Sequence, residues 1–136
     1  MANYDYYYHN EAEIFNHLPF PRILLTHEKF RKISSEAKIL YGLFLERNFT
    51  SVENGWLDSD TRNFIYYPQQ EVQEIFGVSH TKVHGMMGEL EKASLIQRKR
   101  QGLGLPMKIY VLNFSSVVDQ PVGTEPAEQE PLEMAY

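Results

Sequence analysis

A run of basic and amide side chains stands directly before a glycine-rich segment late in the sequence. The run is Arg98, Lys99, Arg100 and Gln101; Gly-Leu-Gly-Leu-Pro follows it, and Lys108 comes soon after the proline. Clustered cations of this kind suit the phosphate backbone of a nucleic acid. Gly102 and Gly104 lack a Cβ, so they allow positive φ angles and close approach of the backbone to a duplex. The pattern indicates phosphate contact; the alternative is a turn whose charges only keep an edge strand soluble.

A second group of polar side chains lies upstream of the basic run. It consists of Ser79, His80, Thr81, Lys82, His84 and Gly85. Such side chains hydrogen-bond to base edges and phosphates when a helix presents them to DNA. His80 and His84 also have the i, i+4 spacing that can hold a metal ion on a helix, with Glu89 as the nearest third ligand. We expect hydrogen bonding to nucleic acid rather than metal binding, and no cofactor.

Motifs of the common enzyme classes do not occur in the sequence. There is no phosphate-cradling GxxxxGK, no GxSxG, no cysteine nucleophile and no cluster of acidic residues at metal-binding spacing. We therefore expect a binding protein and not an enzyme. The lack of cysteine fits a reducing compartment. No apolar run approaches the roughly 18 residues that cross a bilayer, and the N-terminus has no signal-peptide pattern, so we predict a cytoplasmic protein with no membrane partner.

Charge is distributed unevenly along the 136 residues. The net charge is −5, and residues 119–136 alone hold five acidic and no basic residues. Residues 80–112 hold six basic and two acidic residues. This asymmetry indicates one positive face on a protein that is acidic overall, although short charge runs are also typical of solvated surface.

Hydrophobic spacing predicts three helices and a hairpin between the first two. Ser34 caps a helix that runs to about residue 48 and turns Ala37, Leu40, Tyr41 and Phe44 inward. Residues 55–67 contain two short apolar runs around a polar turn, which predicts a β-hairpin. Residues 69–76 form a second helix after Pro68, with Gly77 as its C-terminal stop. Its inward residues are Val72, Ile75 and Phe76.

The third helix begins after Ser79 and buries Val83, Met87 and Leu90. Two short helices joined by a tight glycine turn are typical of a helix-turn-helix. Residues 95–99 and 107–113 predict two strands joined by the glycine loop, and this order of helix, helix and hairpin is a winged helix. The predicted fold class is therefore α+β, with the third helix in the major groove of double-stranded DNA and the hairpin loop along the phosphate backbone.

Three stretches give the sequence a family resemblance. They are ISSEAKILYGLFLERN (33–48), NGWLD (54–58) and LEKASLIQRKRQGLGLPMKIYVLNF (90–114). The chain resembles the N-terminal domain of the replication initiator protein A family, found on plasmids and integrated elements of Gram-positive bacteria. The resemblance implies a winged helix that binds repeated sites at a replication origin, often as a dimer. It also implies a linker to a C-terminal domain that contacts host replication proteins.

The predicted organisation has three parts. Residues 1–19 form an aromatic N-terminal arm, residues 20–116 the winged-helix domain, and residues 117–136 an acidic, proline-containing linker or disordered tail. The arm either packs on this domain or on a second copy, or stacks on unpaired bases. Two rival functions share the fold: a transcriptional regulator, and a winged helix used for protein-protein assembly.

Overall fold

The computed structural model describes residues 4–8 and 17–116. Residues 23–116 contain helices and a small antiparallel sheet. The helices are α1 (Ile23–Thr26), α2 (Ser35–Asn48), α3 (Gln69–Phe76) and α4 (His80–Lys92), and the strands are β1 (Ile96–Lys99) and β2 (Lys108–Val111). Short 3-10 helices occupy Glu28–Phe30 and Phe114–Ser116. In the described part of the chain no helix is long and apolar enough to span a bilayer.

Helix α2 begins where its cap was predicted. The backbone N–H of Ala37 donates to Ser34 Oγ at 3.2 Å, which satisfies one of the amides that a helix start leaves unpaired. The predicted inward residues Ala37, Leu40, Tyr41 and Phe44 are all fully buried. The phenol of Tyr41 donates to the carbonyl of Leu112 at 2.6 Å, and burial raises the pKa of Tyr41 to about 12. This helix is the centre of the core.

A carboxylate of α4 holds the start of α2 in place. Glu89 accepts a hydrogen bond from the Ser34 backbone N–H at 2.7 Å and another from Ser34 Oγ at 2.8 Å. The cap residue of α2 is thereby bound by a side chain 55 positions later in the sequence. Helices α2 and α4 are consequently joined by polar contacts as well as by their apolar faces.

The segment before α1 passes close to the middle of α2. A Cβ on Gly42 would lie 2.8 Å from the carbonyl oxygen of Pro19 and 3.3 Å from Leu18 Cδ2, so glycine is needed for this approach. The tyrosines at positions 4, 6, 7 and 8 are exposed. Residues 9–16 and 117–136 lie outside the described residues, so the predicted arm, tail and domain boundaries stay predictions.

The predicted hairpin over residues 55–67 is reduced to one isolated antiparallel bridge, and neither of its two strands is formed. Leu57 pairs with Asn63 in one antiparallel bridge. The Asp58 carboxylate folds the turn by accepting the Arg62 and Asp60 backbone N–H groups, each at 2.9 Å, and these bonds hold its pKa well below the usual range. After the turn, Ile65 pairs instead with Ile109 of β2.

Helix α3 has the predicted limits and stop, because Gly77 adopts a left-handed conformation with φ of 66°. Val72 is buried, but Ile75 is 50% exposed, which corrects the prediction that it faces inward. At 100° per residue Ile75 lies about 60° to one side of Val72, and Phe76 about 40° to the other. The buried face is therefore centred towards Phe76.

Candidate nucleic-acid interface

Helix α4 presents one apolar face to the core and one polar face outward. Val83, Met87 and Leu90 are buried as predicted, and Met86 joins them. Ser79 is the cap of the helix, and its hydroxyl accepts the Lys82 backbone N–H at 3.1 Å. The Ser79 hydroxyl is thus already used by the helix start, while Thr81 and Gly85 are exposed.

Two imidazole rings stand side by side on the outer face of α4. The centroids of His80 and His84 are 6.5 Å apart with an interplanar angle of 11°, and both side chains are exposed. Aligned rings of this kind present a row of polar ring atoms to whatever approaches the helix. Across the described residues, no three His, Asp or Glu side chains come close enough together to hold a metal ion.

Lys82, one of the polar residues predicted to contact DNA, forms an ion pair with α2. Lys82 Nζ lies 3.6 Å from Glu36 Oε2, and both side chains are about half exposed. The pKa of Glu36 is lowered, first by its own backbone N–H and then by Lys82. An exposed pair of this kind stabilises a protein little, so Lys82 can exchange its carboxylate partner for a phosphate at small cost.

Arg98 is bound within the protein. Its Nη2 donates to Glu91 Oε1 at 2.6 Å, its backbone N–H donates to Glu91 Oε2 at 3.3 Å, and only 15% of the side chain is exposed. The pKa of Glu91 is lowered chiefly by the hydrogen bond from Arg98. This pair fastens β1 to α4. The phosphate contact predicted for Arg98 is not tested by the structure. Because the guanidinium already has a carboxylate partner, we expect it to contribute little to phosphate binding.

The rest of the basic run and the glycine loop lie at the surface. Lys99, Arg100 and Gln101 are exposed, and Gly102 and Gly104 have the expected positive φ values of 135° and 80°. Gln101 Nε2 donates to the Pro106 carbonyl at 2.6 Å, across the base of the loop. The predicted contact residue Lys108 is partly covered, with Nζ 4.5 Å from the centre of the Phe64 ring.

An open cleft brings the two predicted groups together. His80 and His84 come from α4, whereas Arg98 and Arg100 come from β1 and the loop that follows it. The residues that line the cleft are Gln69, His80, His84, Arg98, Arg100 and Met107. The cleft is wide and partly polar, as expected of a surface for a long ligand rather than a pocket for a small one.

Gln69, Met107 and Glu91 were missed by sequence reasoning. Gln69 is the first residue of α3. Its position directly after Pro68 places a polar side chain at a helix start, and that position could have suggested a contact residue. Met107 precedes β2 and gave no signal. Glu91 lies seven positions before Arg98, and their pairing depends on β1 folding back beside α4.

Gly85 lies on the outer face of α4, where a glycine weakens the helix. A substitution can test whether this glycine is needed for DNA binding. A Cβ at this position would meet nothing within 4 Å. Gly85→Ala is therefore expected to raise the free energy of unfolding by about 0.5–1 kcal/mol, because alanine loses less backbone entropy in a helix. Urea denaturation followed by circular dichroism measures this change.

Gly77→Ala is the matched control, because φ there is 66° and alanine is strained in that conformation. Gly77→Ala should lower stability. If Gly85→Ala raises stability but weakens DNA binding, the glycine serves close approach of the backbone to the duplex. A loss of stability from Gly85→Ala would contradict the open space around Gly85.

A family model and one curated relative match most of this chain. The model describes the N-terminus of replication initiator protein A, and it matches residues 16–124. A protein of Lactobacillus helveticus described as "41 kDa protein" is 26% identical over an alignment of 107 residues that covers 74% of this chain and 30% of that protein. The chain thus spans less than a third of the curated relative that it matches.

Three solved structures share the fold. One described as "N-Terminal domain of DNA binding protein" has a TM-score of 0.67, 24% identity, and coverage of 90% of this chain and 88% of that chain. One described as "Structure of Rep-DNA complex" has a TM-score of 0.66, 25% identity, and coverage of 89% and 88%. One described as "Structure of MDR initiator" has a TM-score of 0.64, 22% identity, and coverage of 80% and 86%.

Proposed function

This chain belongs to the family of replication initiator protein A N-terminal domains, and from that premise we propose that it binds double-stranded DNA in a sequence-specific manner. The proposed sites are short repeats at a replication origin, of the kind that plasmids carry. The observation that carries the proposal is the cleft shared by the outer face of α4 and the basic run at the end of β1. A likeness of fold to a protein described in complex with DNA supports it.

Helices α3 and α4 and the hairpin are proposed to act as a winged helix-turn-helix. The left-handed Gly77 turns the chain sharply between the two helices, and the start of α4 is exposed. A recognition helix reads bases with its N-terminal residues, and here those are Thr81, His84 and their neighbours. The loop between β1 and β2, which we call the wing, would then follow the phosphate backbone beside that groove.

Exposed cations on α4 and at the end of β1 support a polyanionic partner. Lys99 and Arg100 are exposed, and Lys82 is held only by a half-exposed carboxylate. Phosphate contacts made by such side chains supply most of the affinity of a DNA-binding protein and little of its sequence preference. The base preference must therefore come largely from side chains other than these cations, first of all from those at the start of α4.

The assembly of the whole initiator extends the same proposal. Repeated sites suit a homodimer, since two identical domains can occupy two repeats. Host replication proteins would be recruited by a C-terminal domain beyond this chain. The domain itself is proposed to work by binding and not as an enzyme. Short direct repeats within or beside the coding region would support an initiator, whereas a palindrome before a neighbouring operon would favour a transcriptional regulator.

Arg100→Ala provides the direct test of DNA binding. The salt slope of binding, log K against log salt concentration, is expected to become shallower by about 1, because one phosphate contact and its released counterion are lost. Affinity should fall for every duplex. Fluorescence anisotropy with a labelled duplex, titrated at several salt concentrations, measures both quantities.

Arg98→Ala is the control that separates structure from binding. Its guanidinium is bound to Glu91, so we expect a loss of stability with little change in salt slope. An unchanged slope in Arg100→Ala would refute the phosphate contact. If the unmodified chain binds no duplex at any salt concentration, DNA binding itself is refuted, and a role in protein-protein assembly becomes the better explanation.

A further inference from the structure

The tip of the wing carries a fully exposed leucine. Leu103 is 105% exposed, which exceeds the exposure of every other large apolar side chain in the described residues, and Leu105 beside it is 59% exposed. Single exposed leucines are common on protein surfaces. Leu103 differs because hydrogen bonds hold its loop in one shape and basic residues lie beside that loop.

Hydrogen bonds fix the shape of the wing. The backbone N–H of Leu105 donates to the Gly102 carbonyl at 3.2 Å, which makes residues 102–105 a tight turn with Leu103 and Gly104 at its centre. The φ of 80° at Gly104 is that of the third residue of a type II turn. Gln101 closes the base of the loop by its bond to Pro106. Leu103 is thus presented outward by an ordered turn.

The charges beside the turn define what the tip can meet. Lys99, the last residue of β1, and Arg100, the first residue of the loop, precede the turn, so the partner that comes to the wing is anionic. Within a nucleic acid, apolar surface is available on the sugar edges that line the minor groove and on base steps that unstack there. Minor-groove proteins insert leucine, isoleucine, phenylalanine, methionine or proline at such steps.

We propose that Leu103 enters the minor groove next to the major groove occupied by α4, and that its contact favours flexible pyrimidine–purine steps. This inference rests on the proposed function. It adds a specificity-determining residue that makes no hydrogen bond to a base edge, because the preference comes from how easily a base step opens.

The dimensions of the wing agree with this placement. Arg100 lines the cleft beside His80 and His84, so it lies next to the face of α4 that would meet the major groove. Leu103 follows three residues later, which allows a reach of at most about 10 Å beyond Arg100. The minor groove is about 6 Å wide and is separated from the major groove by one strand of phosphates. Arg100 can therefore contact that strand while the leucine lies beyond it.

The test uses the whole chain and a 30-base-pair duplex obtained by repeated selection from a random library with the unmodified protein. Leu103→Ala is expected to weaken binding about 3- to 10-fold at each salt concentration with an unchanged salt slope, since an apolar contact releases no counterions. The unmodified protein should prefer a duplex with TA at the flanking step over one with GC there, and the variant should lose that preference. The fluorescence of a 2-aminopurine placed at this step should rise when the unmodified protein binds, because the base unstacks. It should not rise with Leu103→Ala.

Leu25→Ala is the matched control, because Leu25 is also an exposed leucine, at 57%, but lies on α1. It should change none of these readouts. If the unmodified protein binds the TA and GC duplexes equally well, and Leu103→Ala binds them as tightly as the unmodified protein does, the proposed insertion of Leu103 is overturned. DNA binding itself would still stand. A salt slope that changes as in Arg100→Ala, or a loss of self-association without a loss of DNA affinity, would also overturn the insertion. Failure of the unmodified protein to bind any duplex would overturn both proposals.

Discussion

Leu90→Ala is expected to lower the free energy of unfolding by about 2–5 kcal/mol. Leu90 is fully buried in α4, and its carbonyl accepts the backbone N–H of Leu95, where the chain turns into the hairpin. Removing its side chain leaves a cavity between the helix and the core, and the cost adds to the lost burial of apolar area. Against a typical total of about 5–15 kcal/mol, this is a large fraction of stability. Urea denaturation monitored by circular dichroism measures it.

Ile75→Ala is the control for Leu90→Ala. Both are aliphatic residues of neighbouring helices, but half of the Ile75 side chain is already in solvent, so its loss should cost less than about 1 kcal/mol. Equal costs for the two variants would contradict the packing of α4 described above. If Leu90→Ala also loses DNA sequence preference while keeping non-specific affinity, the position of α4 depends on this contact.

Thr81→Ala and His84→Ala are expected to reduce the preference for a cognate repeat over random DNA by about 1–3 kcal/mol each. Both side chains are exposed near the start of α4, where base-reading residues of a helix-turn-helix lie. One good base contact has about this value. Competition binding with cognate and scrambled duplexes measures the preference, and thermal unfolding should show nearly unchanged stability because neither side chain is buried.

Thr26→Ala, at an exposed threonine on α1, is the matched control and should leave the preference unchanged. Arg100→Ala should behave differently from the helix variants by lowering cognate and random affinities together. An equal fall of both affinities in Thr81→Ala and His84→Ala would show that α4 contributes charge or shape but no base reading.

Local signals predicted most of the helices and both strands. The stripe of Ala37, Leu40, Tyr41 and Phe44 has the period of a helix, and its capping serine marks the start. Gly77 predicted the end of α3 because only a left-handed residue closes the helix there. Helix α1 and the 3-10 helix after it were missed, since elements this short show no period, although they bury Leu24 and Phe30.

The parts that sequence could not predict depend on contacts between distant segments. Residues 55–67 have the composition of strands, but Ile65 pairs with Ile109 of β2, which lies 44 positions later in the sequence. A two-stranded hairpin alone is only marginally stable in water, so this distant pairing decides the local structure. Arg98 belongs to the basic run by sequence, yet it lies beside Glu91 only because β1 folds back along α4. The site groups were identifiable by residue type, whereas their shared cleft depends on tertiary structure.

We expect the hydrogen bonds from Ser34 to Glu89 to couple the opening of α2 to that of α4 in the native state. Because the cap of α2 is completed by a carboxylate from α4, the first turn of α2 loses two hydrogen bonds whenever α4 detaches. We therefore expect amide protons at the start of α2 and in the second half of α4 to exchange with solvent through one shared opening event. In that case the two helices form a single foldon, and α4 loosens together with the central helix of the core.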